Sequence, residues 1–343
     1  MNLWFKYVDE VKVLGAFSGK AIEAIDAPYT HSNLALKVIP EFDITNLLNS
    51  IKSLFIIPII LVKVFKVLFW ADHIHIRCPS NIGLIACFAQ IFFPNKPKTV
   101  KYAGNWDPNS KQPLSYRFQK WILSNTVLTK NAKVLVYGKW EHQTKNSIPF
   151  FTATYSKDSV KEIPKKSLSE EIRFIFVGGL TVGKQPLKSV QVVEQLKVKG
   201  YKVRLDMFGD GVEREKVESY ISQNKLSSFI TLHGNTDKEI VVEAYQKAHF
   251  LVFISKSEGW PKVVAEAMFW SCLPITTAVS CVPYMLDSGN RGAIVTDTVD
   301  VIVNKVEEYL NNEILYQKQI EAAKNWSQQF TLEKFELEIK NIL

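Results

Sequence analysis

Ile172 to Phe208, IRFIFVGGLTVGKQPLKSVQVVEQLKVKGYKVRLDMF, decides the fold. Two apolar runs of strand type, Ile172 to Val177 and Val203 to Phe208, flank a segment of helical period from Pro186 to Lys197. Strands joined through a helix lie parallel. The alternation continues through Val212 to Asn224 (helical period), Phe229 to Leu232 and Phe250 to Ile254 (strand type). The pattern predicts a parallel, doubly wound α/β sheet, in which ligands sit at the carboxyl ends of the strands.

Strand-like runs also occur at Val11 to Ala16, His73 to Arg77, Thr99 to Ala103 and Lys133 to Val136. They predict a second sheet of the same kind. With 343 residues the chain is long enough for two such domains. The polar stretch Tyr155 to Glu170, carrying Pro164, is the natural boundary, giving a domain over 1–160, a second over 165–325 and a terminal helix over 326–343 that packs back on the first. The N-terminus reads as the end of a helix followed by a strand. A nucleotide-type lobe normally opens with a strand and a Gly-rich loop, and no such opening is found, so either a first βα unit is missing or this lobe is built without one.

Composition narrows the class. Hydrophobic residues at 47% and charged residues at 22% are values of a folded globular protein without low-complexity segments. Four cysteines, Cys78, Cys87, Cys272 and Cys281, form neither a C-x-x-C pair nor a metal-type cluster with histidine, so neither zinc nor a disulfide framework is expected. No secretory signal pattern opens the chain, and a cytoplasmic location is expected. The net charge of +8 is concentrated before position 150, where 18 Lys and Arg face 9 Asp and Glu. Such a basic lobe favours anionic partners.

One stretch of that lobe, Leu54 to Trp70 (LFIIPIILVKVFKVLFW), is apolar on every side except for Lys63 and Lys66. Its length is at the short limit for a membrane span and Pro58 interrupts it, leaving three readings: a span, a buried helix, or a helix lying in a membrane surface. In the last case both lysines would snorkel to head groups. His73, His75 and Arg77 share one face of a strand without metal-type partners, which points to a structural role. Neither G-x-S-x-G nor a P-loop occurs, and the aromatic and basic stretch Tyr102 to Trp121 is too weak a signal for a nucleic-acid partner.

The chemistry concentrates in Ser257 to Pro274, SEGWPKVVAEAMFWSCLP. After the strand ending at Ile254, Gly259 makes a turn and Pro261 takes the first helical position of a helix running to about Ser271. The N–H groups of Lys262 and Val263 and the positive end of the helix dipole then form an anion site suited to a diphosphate. Glu258 and Glu266 flank it. On spacing alone, Glu258 either complements the dipole or reaches hydroxyls beyond the phosphates, and Glu266 either pairs with Lys262 at i,i+4 or lies near a ribose.

This segment resembles the E-x7-E motif of family 4 glycosyltransferases, and VGGLTVGKQP (Val177 to Pro186) is similar to their V-G-R-L-x-x-x-K-G segment. FGDG (Phe208 to Gly211) and LHGN (Leu232 to Asn235) stand between the two as in the family, and the likeness is good over about 165 to 295. The resemblance implies a GT-B fold, two doubly wound Rossmann-like domains facing a central cleft, and a retaining, metal-independent transfer without an added cofactor. It implies that Lys184 contacts the donor diphosphate, Glu258 the transferred sugar and Glu266 the ribose, with Gly178, Gly179, Gly259, Lys262 and Val263 lining the donor site. The departing phosphate would take the acceptor's proton.

Two departures accompany it. Gly179 stands where the family usually has arginine, and KYAGNWD lacks the family's first-lobe histidine, leaving Asn105 as the acceptor-side polar candidate. They motivate a second reading, a catalytically impaired relative serving as a binding or partner subunit. An epimerase of the same fold would lack the E-x7-E pair, and a lipid-surface or nucleic-acid module would leave the diphosphate site unexplained. The expected partners are a nucleotide-diphosphate sugar, a glycan or polyprenyl-linked acceptor, and the anionic inner face of a bacterial plasma membrane, in capsule, exopolysaccharide or lipopolysaccharide assembly.

Overall fold

The structure, a computed structural model, describes residues 2–16, 19, 27–41 and 47–343, without the side chains of 47–52 and 54. It divides into two compact units, Met1–Phe150 with Phe335–Leu343, and Phe151–Lys334.

The first unit contains α1 (Asn2–Phe5), β1 (Val11–Ala16), β2 (Leu34–Ile39), α2 (Leu47–Trp70), β3 (Ile74–Cys78), α3 (Asn81–Ala89), β4 (Lys98–Tyr102), α4 (Leu114–Ser124), β5 (Ala132–Tyr137) and β6 (Ser147–Phe150). Strands β3 to β6 form one parallel sheet in sequential order, and β1 pairs with β2 in a separate parallel pair. All four runs read from the sequence are strands. β2 and β6 went unread because LALKVI carries no alternation and SIPF holds a proline at an edge. The core gathers Ile76 and Val100 of the sheet with Ile60, Val64 and Leu68 of α2 and Ile85 of α3, all under 10% exposed.

Helix α2 resolves the reading of the apolar stretch. Ile60, Val64 and Leu68 pack into the core, whereas Phe55, Ile59, Val62 and Phe69 on the opposite face are 53 to 79% exposed. No helix among the described residues is long and apolar enough to cross a membrane. Of the two lysines, Lys66 is exposed, whereas Lys63 donates to the Val38 carbonyl at 2.7 Å and is tied to β2. His73 and His75 both hydrogen-bond the Thr99 hydroxyl, at 3.0 and 2.7 Å, a structural bridge between β3 and β4.

The second unit contains β7 (Ile172–Val177), α5 (Pro186–Val198), β8 (Val203–Phe208), α6 (Arg214–Gln223), β9 (Ile230–Gly234), α7 (Lys238–Lys247), β10 (Phe250–Phe253), α8 (Lys262–Phe269), β11 (Leu273–Thr277), α9 (Val282–Met285), β12 (Ala293–Val295), α10 (Val299–Leu310) and α11 (Glu313–Ser327). Its parallel sheet has the order β12-β11-β10-β7-β8-β9, the doubly wound arrangement with β7 central. Both faces are covered, so Phe174, Ile175, Phe176 and the whole of β10 are buried and the strands read as continuous apolar runs.

The division falls after Phe150, not within Tyr155 to Glu170. Tyr155 packs on Phe269 and Trp270 at 4.8 and 5.1 Å. The Lys166 ammonium donates to the carbonyls of Tyr245, Ala248 and Ser271 at 3.0, 2.6 and 2.8 Å, and burial brings its pKa down to about 8. Tyr155 and the Lys166 ammonium thus anchor this otherwise largely exposed stretch to the second unit. The final segment is also not one helix from 326: α11 ends at Ser327, and α12 (Leu332–Ile342) begins after the chain turns. Within the first unit Phe335 of α12 meets Phe150 at 5.5 Å, and Lys133 donates to the Ile342 carbonyl at 2.8 Å.

Candidate active site

In the second unit the carboxyl ends of β7 and β10 adjoin, and the segments after them carry the singled-out residues. After β7, Gly178 adopts φ +143°, where L side chains are strained. Its carbonyl lies so close to Gly209 that a Cβ on Gly209 would stand 2.2 Å from it, so FGDG requires glycine at that position. Val182 to Lys184 make one 3-10 turn, and Pro186 opens α5 with the fixed φ that a first helical residue needs. Lys184 leaves this turn with its Nζ 3.7 Å from Glu258 Oε1 and 5.1 Å above the Phe253 ring.

Glu258 is held from behind. The Ser255 hydroxyl donates to its Oε1 at 2.8 Å, and Ser255 is fixed in turn by Thr277, whose hydroxyl accepts the Ser255 N–H at 3.1 Å and donates to the Ser255 carbonyl at 2.5 Å. The Lys256 N–H donates to the Gly183 carbonyl at 2.8 Å, lacing the two loops together beside Lys184. The side chains of Lys184 and Glu258 are 29% and 13% exposed, so the pair is sheltered yet open on one side. Past it, the Gly259 carbonyl accepts from the Ser280 hydroxyl at 2.9 Å and the Cys281 thiol at 3.1 Å, pinning the turn that leads into α8.

Pro261 is the N-cap of α8 at φ −72°, ψ 93°, one position earlier than the sequence placed it, and the helix ends at Phe269 because Ser271 reverses at φ +54°. Pro261 offers no side-chain cap, and the N–H groups of Lys262 and Val263 have no partner among the described residues. Free N–H groups at a helix start attract anions.

Glu266 has a different setting. It does not join the Lys184–Glu258 pair: its Oε1 accepts from the Thr154 hydroxyl at 2.8 Å. Burial raises its carboxyl pKa above the ordinary 4.5, against the Thr154 hydrogen bond and the charges of Lys262 and Lys238. Lys262 therefore acts on Glu266 through its field rather than as a hydrogen-bonded i,i+4 partner. Gly179 has an ordinary φ, and a Cβ there would meet the Asp210 carbonyl and Thr181 Cγ2 at 3.6 Å, so the position tolerates a side chain. Asn105 lies in the first unit, and its Oδ1 accepts the Asp107 N–H at 2.9 Å in a local turn. Ser255, Thr277 and Thr154 were missed, since their roles arise only where β10, β11 and the entry to the second unit converge. The one local signal was a hydroxyl residue directly after a buried strand.

The arrangement offers a lysine, a carboxylate fixed beside it and free backbone donors, all at the carboxyl edge of a parallel sheet. Residues 159–326 match the family model for glycosyl transferases group 1. The chain is 28% identical over 169 residues to an uncharacterized glycosyltransferase of Methanocaldococcus jannaschii, covering 49% of this chain and 46% of that protein. It is 29% identical over 171 residues to the poly(glycerol-phosphate) alpha-glucosyltransferase of Bacillus subtilis, covering 49% of this chain and 24% of that protein. The chain thus spans less than half the length of the curated relatives it matches. Among solved structures, the sucrose-phosphate synthase of Thermosynechococcus elongatus superposes with a TM-score of 0.70 at 15% identity, covering 97% of this chain and 88% of that one. The fold is therefore GT-B, built of two Rossmann-like units, and the likeness to glycosyl transferases group 1 lies in residues 159–326.

Proposed function

We propose that the chain is a retaining glycosyltransferase of the family 4 type that moves a sugar from a nucleotide-diphosphate donor onto a glycan or polyprenyl-linked glycan. The observation that carries this reading is the Lys184–Glu258 pair at 3.7 Å beside the uncapped start of α8. The donor's diphosphate lies against Lys184 and the N–H groups of Lys262 and Val263, with Gly178, Gly179 and Gly259 allowing close backbone approach. These groups stabilise the leaving diphosphate, so no divalent cation is required. Glu258, freed from Lys184 by the phosphates, accepts hydrogen bonds from the sugar. Glu266 binds the ribose, and the acceptor's proton passes to the departing phosphate oxygen. Asn105 serves the acceptor side.

The exposed Phe55, Ile59, Val62 and Phe69 of α2, on a unit with nine surplus positive charges up to residue 150, support docking on the anionic inner face of a bacterial plasma membrane during cell-surface polysaccharide synthesis. The test is a panel of nucleotide sugars scored first by thermal shift and then by transfer of labelled sugar. A donor that stabilises the chain and is turned over supports the reading, and stabilisation without hydrolysis or transfer under any acceptor refutes the catalytic assignment.

A further inference from the structure

One face of the first unit's four-stranded sheet carries a layer of helices without a single carboxylate. Ile74 and Ile76 of β3, Val100 of β4 and Val134 and Val136 of β5 point into the core that α2, α3 and α4 share. Alternate residues point the other way. There His75 meets Trp4 of α1 at 4.3 Å, and the Lys101 ammonium lies 4.8 Å from the centre of the Phe335 ring of α12. The crossovers from β3 to β4 and from β4 to β5 step in the same direction, so their right-handedness puts α3 and α4 on one face. α3 packs against both α2 and α4, which makes the three helices one layer.

The outer side of this layer is apolar well beyond α2. Phe88 of α3, Phe92 of the 3-10 turn Gln90–Phe92, and Leu114, Phe118 and Trp121 of α4 are 47 to 78% exposed. The spacing of the last three places them on one side of α4, where the Phe118 and Trp121 rings stack at 5.6 Å. Phe92 meets Phe65 of α2 at 5.5 Å and Phe88 at 5.7 Å, so the surface is continuous from α2 onto α3. Exposed apolar surface of this extent marks an interaction site. Its charge says with what. α2, α3, the 3-10 turn and α4 contain no Asp or Glu, and Lys66 and Arg117 are exposed among the rings. From His73 to Trp140 ten Lys and Arg stand against Asp107 alone. A nucleic acid would answer the cations and leave the rings in water, whereas an anionic bilayer surface takes up both.

We propose that α3 and α4 enter the anionic bilayer surface together with α2. Phe118 and Trp121 sit at the level of the head groups, and Arg117 beside them meets lipid phosphates. The first unit then rests on three helices, with α12 pointing away from the lipid. This rests on the reading that the chain docks through α2, and it adds the second contact that fixes the orientation of the unit.

All four native cysteines are buried, so an introduced exposed cysteine can be labelled selectively with an environment-sensitive nitrobenzoxadiazole dye. Phe69→Cys reports on α2, Leu114→Cys on α4 and Leu337→Cys on α12, each at a position more than half exposed. On phosphatidylglycerol vesicles at low salt, the dyes at 69 and 114 should brighten and shift to the blue, and the dye at 337 should stay as in buffer. Phosphatidylcholine vesicles should change none of them. Phe118→Ser with Trp121→Ser should weaken binding to phosphatidylglycerol vesicles about tenfold or more while the chain keeps its melting temperature. A dye at 114 that stays in water while the dye at 69 enters lipid would overturn the three-helix face and leave docking through α2 standing, as would a double variant that binds like wild type. Equal insertion at 337 would overturn the orientation, and three dyes that all stay in water would sink docking through α2 as well.

Discussion

Lys184 is paired with Glu258, and under the proposed mechanism a donor diphosphate draws it away. Glu258→Gln separates the two roles. Glutamine keeps a carbonyl oxygen where the Ser255 hydroxyl donates at 2.8 Å, so the loop stays anchored. The charge opposite Lys184 at 3.7 Å disappears. A partly exposed pair of this kind is worth up to about 1 kcal/mol. Removing it therefore frees Lys184 to bind a nucleoside diphosphate as well as before or up to about fivefold more tightly. Turnover should move the other way. A group that holds the sugar as charge develops on it contributes about 3 kcal/mol, so kcat should fall about a hundredfold or more. Calorimetric titration with UDP, GDP and ADP identifies the base and measures the first effect, and transfer of labelled sugar measures the second. A variant that keeps full turnover, or one that loses turnover and nucleotide binding together, would refute this division of labour.

Lys184→Met should weaken nucleoside diphosphate binding by about 1.5 to 3 kcal/mol, measured in the same titration, since a charge-assisted hydrogen bond is lost. Gly179→Arg, at a position with room for a side chain, should tighten it about tenfold by supplying a second cation, and no gain would place the diphosphate elsewhere. Activity should survive EDTA, and a loss restored by manganese or magnesium would overturn the leaving-group roles of Lys184 and α8. For Glu266 the folded pKa is raised above 4.5, so its ionised form costs stability that is absent at low pH and appears as pH rises through the folded value. Glu266→Gln should melt higher than wild type at pH 7 and converge with it below pH 4.5. The chain should sediment with phosphatidylglycerol vesicles at low salt and be released at high salt, and Phe55→Ser with Phe69→Ser should abolish sedimentation without unfolding, since both are more than 70% exposed.

The second unit was legible because both faces of its sheet are covered. Ile172–Val177 and Phe250–Phe253 bury nearly every side chain, and such runs stand out against helices of period 3.6. The first unit was less so: β2 exposes three of its six residues, and β6 is a four-residue edge strand. The fate of Lys63 was hidden because its partner, the Val38 carbonyl, lies 25 residues away on a strand the pattern did not reveal. The polar stretch Tyr155 to Glu170, which holds Lys166, misled for the opposite reason. A lysine in a polar stretch reads as solvated, and only the convergence of four carbonyls supplies the partners for its ammonium group.

The two glutamates of Ser257 to Pro274 show where a motif stops informing. Their spacing places one before α8 and one within it, but it does not say which carboxylate meets a cation. That is decided by β11, which supplies Thr277 to fix Ser255 and so turns Glu258 toward Lys184. It is decided again by Thr154, more than a hundred residues earlier, which takes Glu266. The result is one carboxylate left beside a lysine and another kept buried with a raised pKa. Glu258 is therefore the residue whose charge should govern nucleotide affinity and turnover in opposite directions, whereas the charge of Glu266 should register in the melting temperature.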